Sequence, residues 1–214
     1  VVPQCPNIRG GVDQRDRQDG EGAGDQGIMV GYATRETSQM LPLSYALARS
    51  LTNKLTAMRG SEEMPWVLPD GKSQVTIRNG RITSVIIACN YQAGTSIDQV
   101  RQDVFKHVIS PVVVPVNGLM DGVTVRINNT GSFEIGGLVA DSGEVGRKIV
   151  CDAYGPRVPV GGGAFSGKDP TKVDRSAAYM CRFAARRLLA EIPEEDEMLV
   201  RVAYAIGQPK PEMI

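Results

Sequence analysis

The chain has 214 residues, and its 24 lysines and arginines are balanced by 24 aspartates and glutamates. That length supports one large or two small domains with real cores, and the charge balance excludes a global field drawing the chain to nucleic acid or a membrane surface, so any cationic function must be local. No apolar run approaches a membrane span, no secretory signal opens the chain, and four cysteines without a C-x-x-C pair, beside the single histidine His107, argue for a reducing cytoplasm rather than a zinc or disulfide framework.

In chain order, the first two dozen residues are rich in Gly, Asp, Gln and Arg without apolar period, and residues 1–21 read as linker. Pro42 followed by Leu43, Leu47, Leu51, Leu55 and Met58 predicts an amphipathic helix with proline in its first turn. Val75, Ile77, Asn79-Gly80, Ile82 and Val85-Ile86-Ile87 predict a hairpin closed by a tight type I′ turn, with Asp70-Gly71-Lys72-Ser73 as a turn at its entrance. Ser96 with Gln99 predicts a capping box opening a helix that runs to about Ile109, where Pro111 stops it and His107 gains from the helix dipole in the last turn. Val123, Val125 and Ile127 predict a strand, Asn128-Asn129-Thr130-Gly131 a turn, and Phe133 and Ile135 a resumed strand broken by Gly136-Gly137, where a domain boundary is expected. Gly24-Asp25-Gln26-Gly27-Ile28 and Gly146-Arg147-Lys148-Ile149-Val150 resemble each other and read as starts of equivalent helices, although the short apolar run after Arg147-Lys148 leaves helix or strand open there. Val173, Ala177, Met180, Ala184 and Leu188 predict a long helix ended by Pro193, with Arg182, Arg186 and Arg187 on a solvated face. Glu194-Glu195-Asp196-Glu197 reads as a solvated loop before a strand at Leu199 to Ile206, and the Val1 start and uncapped Ile214 end read as cuts.

The most informative stretch is Gly161 to Arg175, which packs glycines, Lys168 and Lys172 into a turn-rich segment ahead of that helix. Glycines let backbone N–H groups approach an anion, a helix start adds positive potential, and lysines supply full charges, so the loop reads as a polyphosphate site. Gly162 to Lys168 satisfies G-x-x-x-x-G-K, but Asp169 stands where a P-loop needs Ser or Thr for magnesium, and Pro156 and Pro159 interrupt any strand leading into it. A P-loop NTPase is therefore set aside. Three further clusters carry charge in turn-like settings: Glu21 to Gly27, Asp70 to Ser73, and Asp141 to Lys148.

Together these segments resemble the S-adenosylmethionine synthetase family, also called methionine adenosyltransferase. The resemblance lies in Gly22-Ala23-Gly24-Asp25-Gln26-Gly27, Pro69 to Thr76, Ile135-Gly136-Gly137 with Gly146-Arg147-Lys148, and Gly161 through Arg175, in the family's order and approximate spacing. It implies an α+β enzyme of repeated sheet-plus-helix domains related by pseudo-threefold symmetry, working as a homodimer or homotetramer with active sites between subunits. On that pattern residues 22–134 would be the central domain and 135–214 a truncated C-terminal domain, with the N-terminal domain missing.

The implied reaction joins ATP and L-methionine. Methionine sulfur attacks C5′ and expels triphosphate, which is hydrolysed to phosphate and diphosphate. The substrate is its own nucleophile, so the protein must align two substrates and stabilise charge on the leaving group. By the resemblance, Lys72, Arg147, Lys148 and Lys168 would contact phosphates and Asp174 would help hold Mg2+, with K+ as the monovalent ion. Asp25, Asp70, Gly71, Ser132, Phe133 and Ala164 would line the nucleotide pocket, and Asp141 and Lys172 would lie where methionine meets the nucleotide. The chain departs from the family's usual residues at Val30, Ser132, Val145 and Val160, and it lacks the Gly-His-Pro-Asp-Lys motif of the N-terminal domain. Two classes of function follow: part of an active transferase completed by that domain, or a noncatalytic nucleotide-binding relic of the same fold.

Overall fold

A computed structural model describes residues 5–12 and 20–214. They fall into two compact units, Val1–Pro42 with Glu144–Ile214, and Leu43–Gly143. Of the stretch expected to be linker, Pro6–Val12 forms a short helix, α1, whose start is tied by the amides of Ile8 and Arg9 donating to the Cys5 carbonyl; residues 1–4 and 13–19 lie outside the described residues.

The first unit is built on a two-stranded antiparallel sheet. Its strands β1, Gly27–Thr34, and β5, Glu197–Tyr204, come from opposite ends of the chain, paired from Gly27 opposite Tyr204 to Thr34 opposite Glu197. The Gly24 segment thus leads into a strand, not the helix expected there. The helix α7, Val173–Glu191, packs across the sheet, but its buried face is Val173, Ala177, Ala178, Cys181, Ala185 and Leu189. The expected stripe was displaced: Met180 is 63% exposed and Leu188 39%. Small side chains win the inner face because a close backbone approach needs them. A Cβ on Gly31 of β1 would run into the Cys181 carbonyl, so helix and strand touch nearly main chain to main chain.

Arg182 also departs from expectation. It is half-buried and donates to the carbonyls of Tyr32, Met40 (2.9 Å) and Gln39 (2.7 Å), which fastens the segment after β1 to α7. Glu197, expected in a solvated loop, opens β5. It accepts from the Tyr32 hydroxyl and pairs with Arg157 at 3.0 Å, while Arg157 also pairs with Glu36. Burial, with help from Glu197, pushes the Tyr32 phenol up to about 12.

The second unit holds the larger core. Helix α2, Leu43–Met58, buries Leu47, Leu51, Leu55 and Met58 as its spacing predicts. Strands β2, Val67–Arg78, and β3, Arg81–Tyr91, form the predicted hairpin, with Asn79 (φ 50°) and Gly80 (φ 74°) supplying the positive φ pair of its turn. The strand β2 starts earlier than expected, so Asp70 to Ser73 lies within it. It is an edge strand whose register shifts between Val67 and Gly71, which is where Pro69, lacking a donor, is tolerated.

After β3 the chain makes a single helical run: α3, Ile97–Asp103, a π-helical turn, Val104–Ile109, and α4, Ser110–Asn117. Ser96 caps it by accepting from the Asp98 amide at 3.3 Å, but no capping box closes, because Gln99 donates to Asp103 instead. Pro111 does not stop the run. The Ser110 amide reaches back five residues to the Phe105 carbonyl, and a proline following this wide turn sits at the start of α4, where its missing N–H is harmless. His107 is therefore inside the run, not in a last turn, and the helix ends at Gly118 with φ 79°. The run crosses over to β4, Thr124–Ile127, which pairs parallel with β3 to give the order β2-β3-β4.

Val85, Ile87, Cys89, Val100, Val104, Val108 and Val113 close the core between sheet and helices. Phe133 and Ile135 resume no strand. Instead the Phe133 carbonyl accepts from the Tyr91 amide at 3.1 Å and the Asn90 side chain at 2.7 Å, and Gly137–Ala140 makes a one-turn helix, α5. Among the described residues no helix is long and apolar enough to cross a membrane.

Candidate functional site

In the first unit the glycine-rich loop meets two of the other clusters. Its far end, Asp169 to Lys172, is a tight turn: the Thr171 amide and hydroxyl both donate to Asp169, which holds that carboxyl below its usual range. The Gly24 amide donates to the Thr171 carbonyl at 2.8 Å, which brings the Asp25 segment against the loop beside Lys172. Gly146 faces Ala164, where an added Cβ would come within 2.9 Å of the Ala164 methyl, so the Arg147-Lys148 pair leaves the chain next to the loop. Arg147 and Lys148 are exposed and precede a one-turn helix, α6, Ile149–Asp152. That settles the helix-or-strand question left open by the short apolar run.

At the loop's base the Lys168 ammonium lies 2.5 Å from Asp174, in the first turn of α7. Asp174 is only 8% exposed, and a Cβ on Gly163 would collide with its carboxylate, so only glycine lets the loop pass there. A buried carboxylate at a helix start is favoured by the helix dipole and by its ammonium partner. Lys172 pairs with Asp169 at 3.4 Å. The cavity beneath, lined by Met29, Tyr154, Gly163, Phe165 and Asp174, has a volume of about 20 Å³, room for one water and not for a nucleotide. A ligand of nucleotide size would have to meet the open side of the loop.

The second unit carries the other expected residues. Asp70 accepts from the Gly137 amide at 2.6 Å, and a Cβ on Gly136 would lie 2.5 Å from Asn90 Oδ1 and 2.9 Å from Asp70 Oδ2. Asp70, Phe133 and the Gly136-Gly137 pair are thus gathered at one end of the sheet. Gly71 follows on β2 opposite Cys89, and Lys72, opposite Ala88, is exposed with Gln74 and Thr76 along the same alternation. Ser132 and Asp141 are exposed, and the Asp141 amide donates to Gly137.

Asn90 escaped the sequence reading. A buried asparagine that ends an apolar strand run was its only signal, and here it holds the backbone of Phe133. Arg175 was visible as the last residue of the loop, but it was given no role beside the more conspicuous Asp174.

Among the described residues no three or more His, Cys, Asp or Glu side chains are gathered for a metal. A magnesium ion held by one or two carboxylates and otherwise by substrate phosphates and water needs no such group. The placement of Asp174, beside a lysine suited to phosphate, fits that donor set.

The model of the S-adenosylmethionine synthetase central domain matches residues 20–133, and that of the C-terminal domain matches residues 135–214. An S-adenosylmethionine synthase of Sulfurovum sp. (strain NBC37-1) is 45% identical over 220 residues, covering all of this chain and 56% of the relative. The S-adenosylmethionine synthases of Clostridium tetani and Deinococcus radiodurans are each 43% identical, with 100% and 99% of this chain covered and 58% and 57% of theirs. The chain thus spans a little over half the length of these curated relatives. With both domain models matched in order along almost the whole described chain, the protein belongs to the S-adenosylmethionine synthetase family.

Proposed function

We propose that the chain forms the phosphate-holding part of a methionine adenosyltransferase, which makes S-adenosylmethionine from ATP and L-methionine and releases phosphate and diphosphate. The observation that carries this reading is the loop from Gly161 to Arg175, where Lys168 and Lys172 stand with Asp174 at the start of α7 beside Arg147 and Lys148. These cations hold the triphosphate and stabilise the charge that accumulates as it leaves C5′. Asp70, Phe133 and Ala164 orient the nucleoside, and Asp141 and Lys172 orient methionine so that sulfur and C5′ are aligned. Asp174 would hold Mg2+, which when bound neutralises phosphate charge; K+ is the expected monovalent ion. The domains 22–134 and 135–214 would be two of three pseudo-threefold repeats, in a cytoplasmic homodimer or homotetramer.

The test is a fusion of this chain to the N-terminal portion of the Sulfurovum relative, assayed for S-adenosylmethionine with ATP, methionine, Mg2+ and K+. The fusion is expected to turn over, the chain alone is not, and Lys168→Ala in the fusion lowers kcat by about two to three orders of magnitude. A correctly folded fusion with no activity would replace this reading with a noncatalytic relic, and a near-normal rate for Lys168→Ala would remove the loop from the mechanism.

A further inference from the structure

Lys168 is gripped at both ends by consecutive residues of α7. Arg175 Nη2 donates to the Lys168 carbonyl oxygen at 3.0 Å, and the carboxylate of Asp174 takes the Lys168 ammonium at 2.5 Å. We propose that Arg175 is a positioning residue that pins the Lys168 backbone while Asp174 parks its side chain, so that Lys168 reaches an incoming polyphosphate by rotating its stem without any movement of the loop. The proposal rests on the reading of this loop as a polyphosphate site.

The two grips differ in kind. A guanidinium is a planar, permanently charged donor, and its bond to a main-chain carbonyl fixes where Lys168 is rooted; a lysine stem has four carbons over which its ammonium can swing. Lys168 keeps 30% of its side chain exposed, so its outward path is open, whereas Asp174 is 8% exposed and does not follow. An anion that draws the ammonium away leaves a buried carboxylate without its partner, which is strongly unfavourable. Metal-free anion binding is therefore held down by Asp174. Any cation that takes the ammonium's place raises anion affinity, and the anion raises that cation's affinity by the same factor.

Titration calorimetry of the whole chain with sodium tripolyphosphate, at low salt with a chelator and no divalent ion, tests this. Asp174→Asn releases the parked ammonium and is expected to bind about ten- to a hundredfold more tightly than wild type. Asp169→Asn, at an exposed carboxylate paired with Lys172, is expected to shift affinity by less than about threefold. Arg175→Ala is expected to weaken binding about tenfold, and Arg175→Lys, which still offers a donor to the Lys168 carbonyl, to recover most of it.

An Asp174→Asn protein no tighter than Asp169→Asn, or an Arg175→Ala protein equal to wild type, overturns the proposal alone. No binding by wild type or any variant overturns the anion reading and the proposal with it. Nitrogen-edited NMR of lysine ammonium groups in the unaltered chain is independent of variant folding. The Lys168 signal, slowed in exchange by Asp174, must shift on tripolyphosphate addition, and a bound anion that leaves it unmoved refutes the handover.

Discussion

Replacing Asn128 by alanine tests how β4 ends. Asn128 is 4% exposed, has φ 44°, and its carboxamide serves Cys89 as a further strand residue would: Oδ1 accepts from the Cys89 amide at 2.8 Å and Nδ2 donates to the Cys89 carbonyl at 2.9 Å. Cys89 is fully buried, so Asn128→Ala leaves both main-chain groups without partner or water. Each orphaned group costs about 1–3 kcal/mol, and alanine at positive φ adds roughly 1 kcal/mol. With partial relaxation the expected loss is about 3–5 kcal/mol.

Trp66, the only tryptophan, is 8% exposed in the same core, so its fluorescence follows unfolding of this unit. In urea, at a slope of about 1–3 kcal/mol per molar, the midpoint is expected to fall by about 2 M. The exposed neighbour change Asn129→Ala should move it little. A loss below about 1 kcal/mol, or equal losses for the two variants, refutes the role given to the carboxamide.

Other perturbations address the first unit. Arg182→Met removes the donor shared by the carbonyls of Tyr32, Gln39 and Met40 and is expected to lower stability by about 2–3 kcal/mol, with amide exchange accelerating first around residues 39–41. The Tyr32 phenol is raised to about 12, above its unfolded value near 10, so its contribution is complete below about pH 10 and is lost as pH rises toward 12. Tyr32→Phe should flatten that alkaline limb, and an unchanged limb would show that Tyr32 does not set it. Glu197 is held low, first by the Tyr32 hydroxyl, so its contribution is present above the ordinary glutamate range and fades as pH falls through the folded value. Tyr32→Phe should therefore reduce acid sensitivity as well, measured by thermal unfolding across pH.

Elements with strong local codes were legible before the fold was known. The α2 stripe and the Asn79-Gly80 turn depend on nearest neighbours, and both formed where spacing placed them. What failed depends on distant partners. The buried face of α7 was chosen by the approach of Gly31, far away in sequence, and hydrophobic periodicity cannot register such a contact. Pro111 looked like a stop because a proline is judged against an α-helical register, and the π turn before it changes that register. The charged clusters were visible as local motifs. Their assembly was legible only in part: Gly24 joins Thr171 and Gly146 meets Ala164, but nothing in the composition marked Arg175 or Asn90 as the residues that hold Lys168 and Phe133.

The pairing of β1 with β5 has a consequence for the order in which the chain acquires structure on the ribosome. The unit from Leu43 to Gly143 is contiguous, with its hairpin and helical run close in sequence, and it can close as soon as that stretch has emerged. The sheet of the other unit waits for Glu197–Tyr204, so β1 lacks this partner while all the chain between the two strands is being made. Nascent chains arrested before residue 197 should therefore expose β1 to proteases and chaperones while the inserted unit is already resistant, and a slow translation step late in the message would prolong that vulnerable interval.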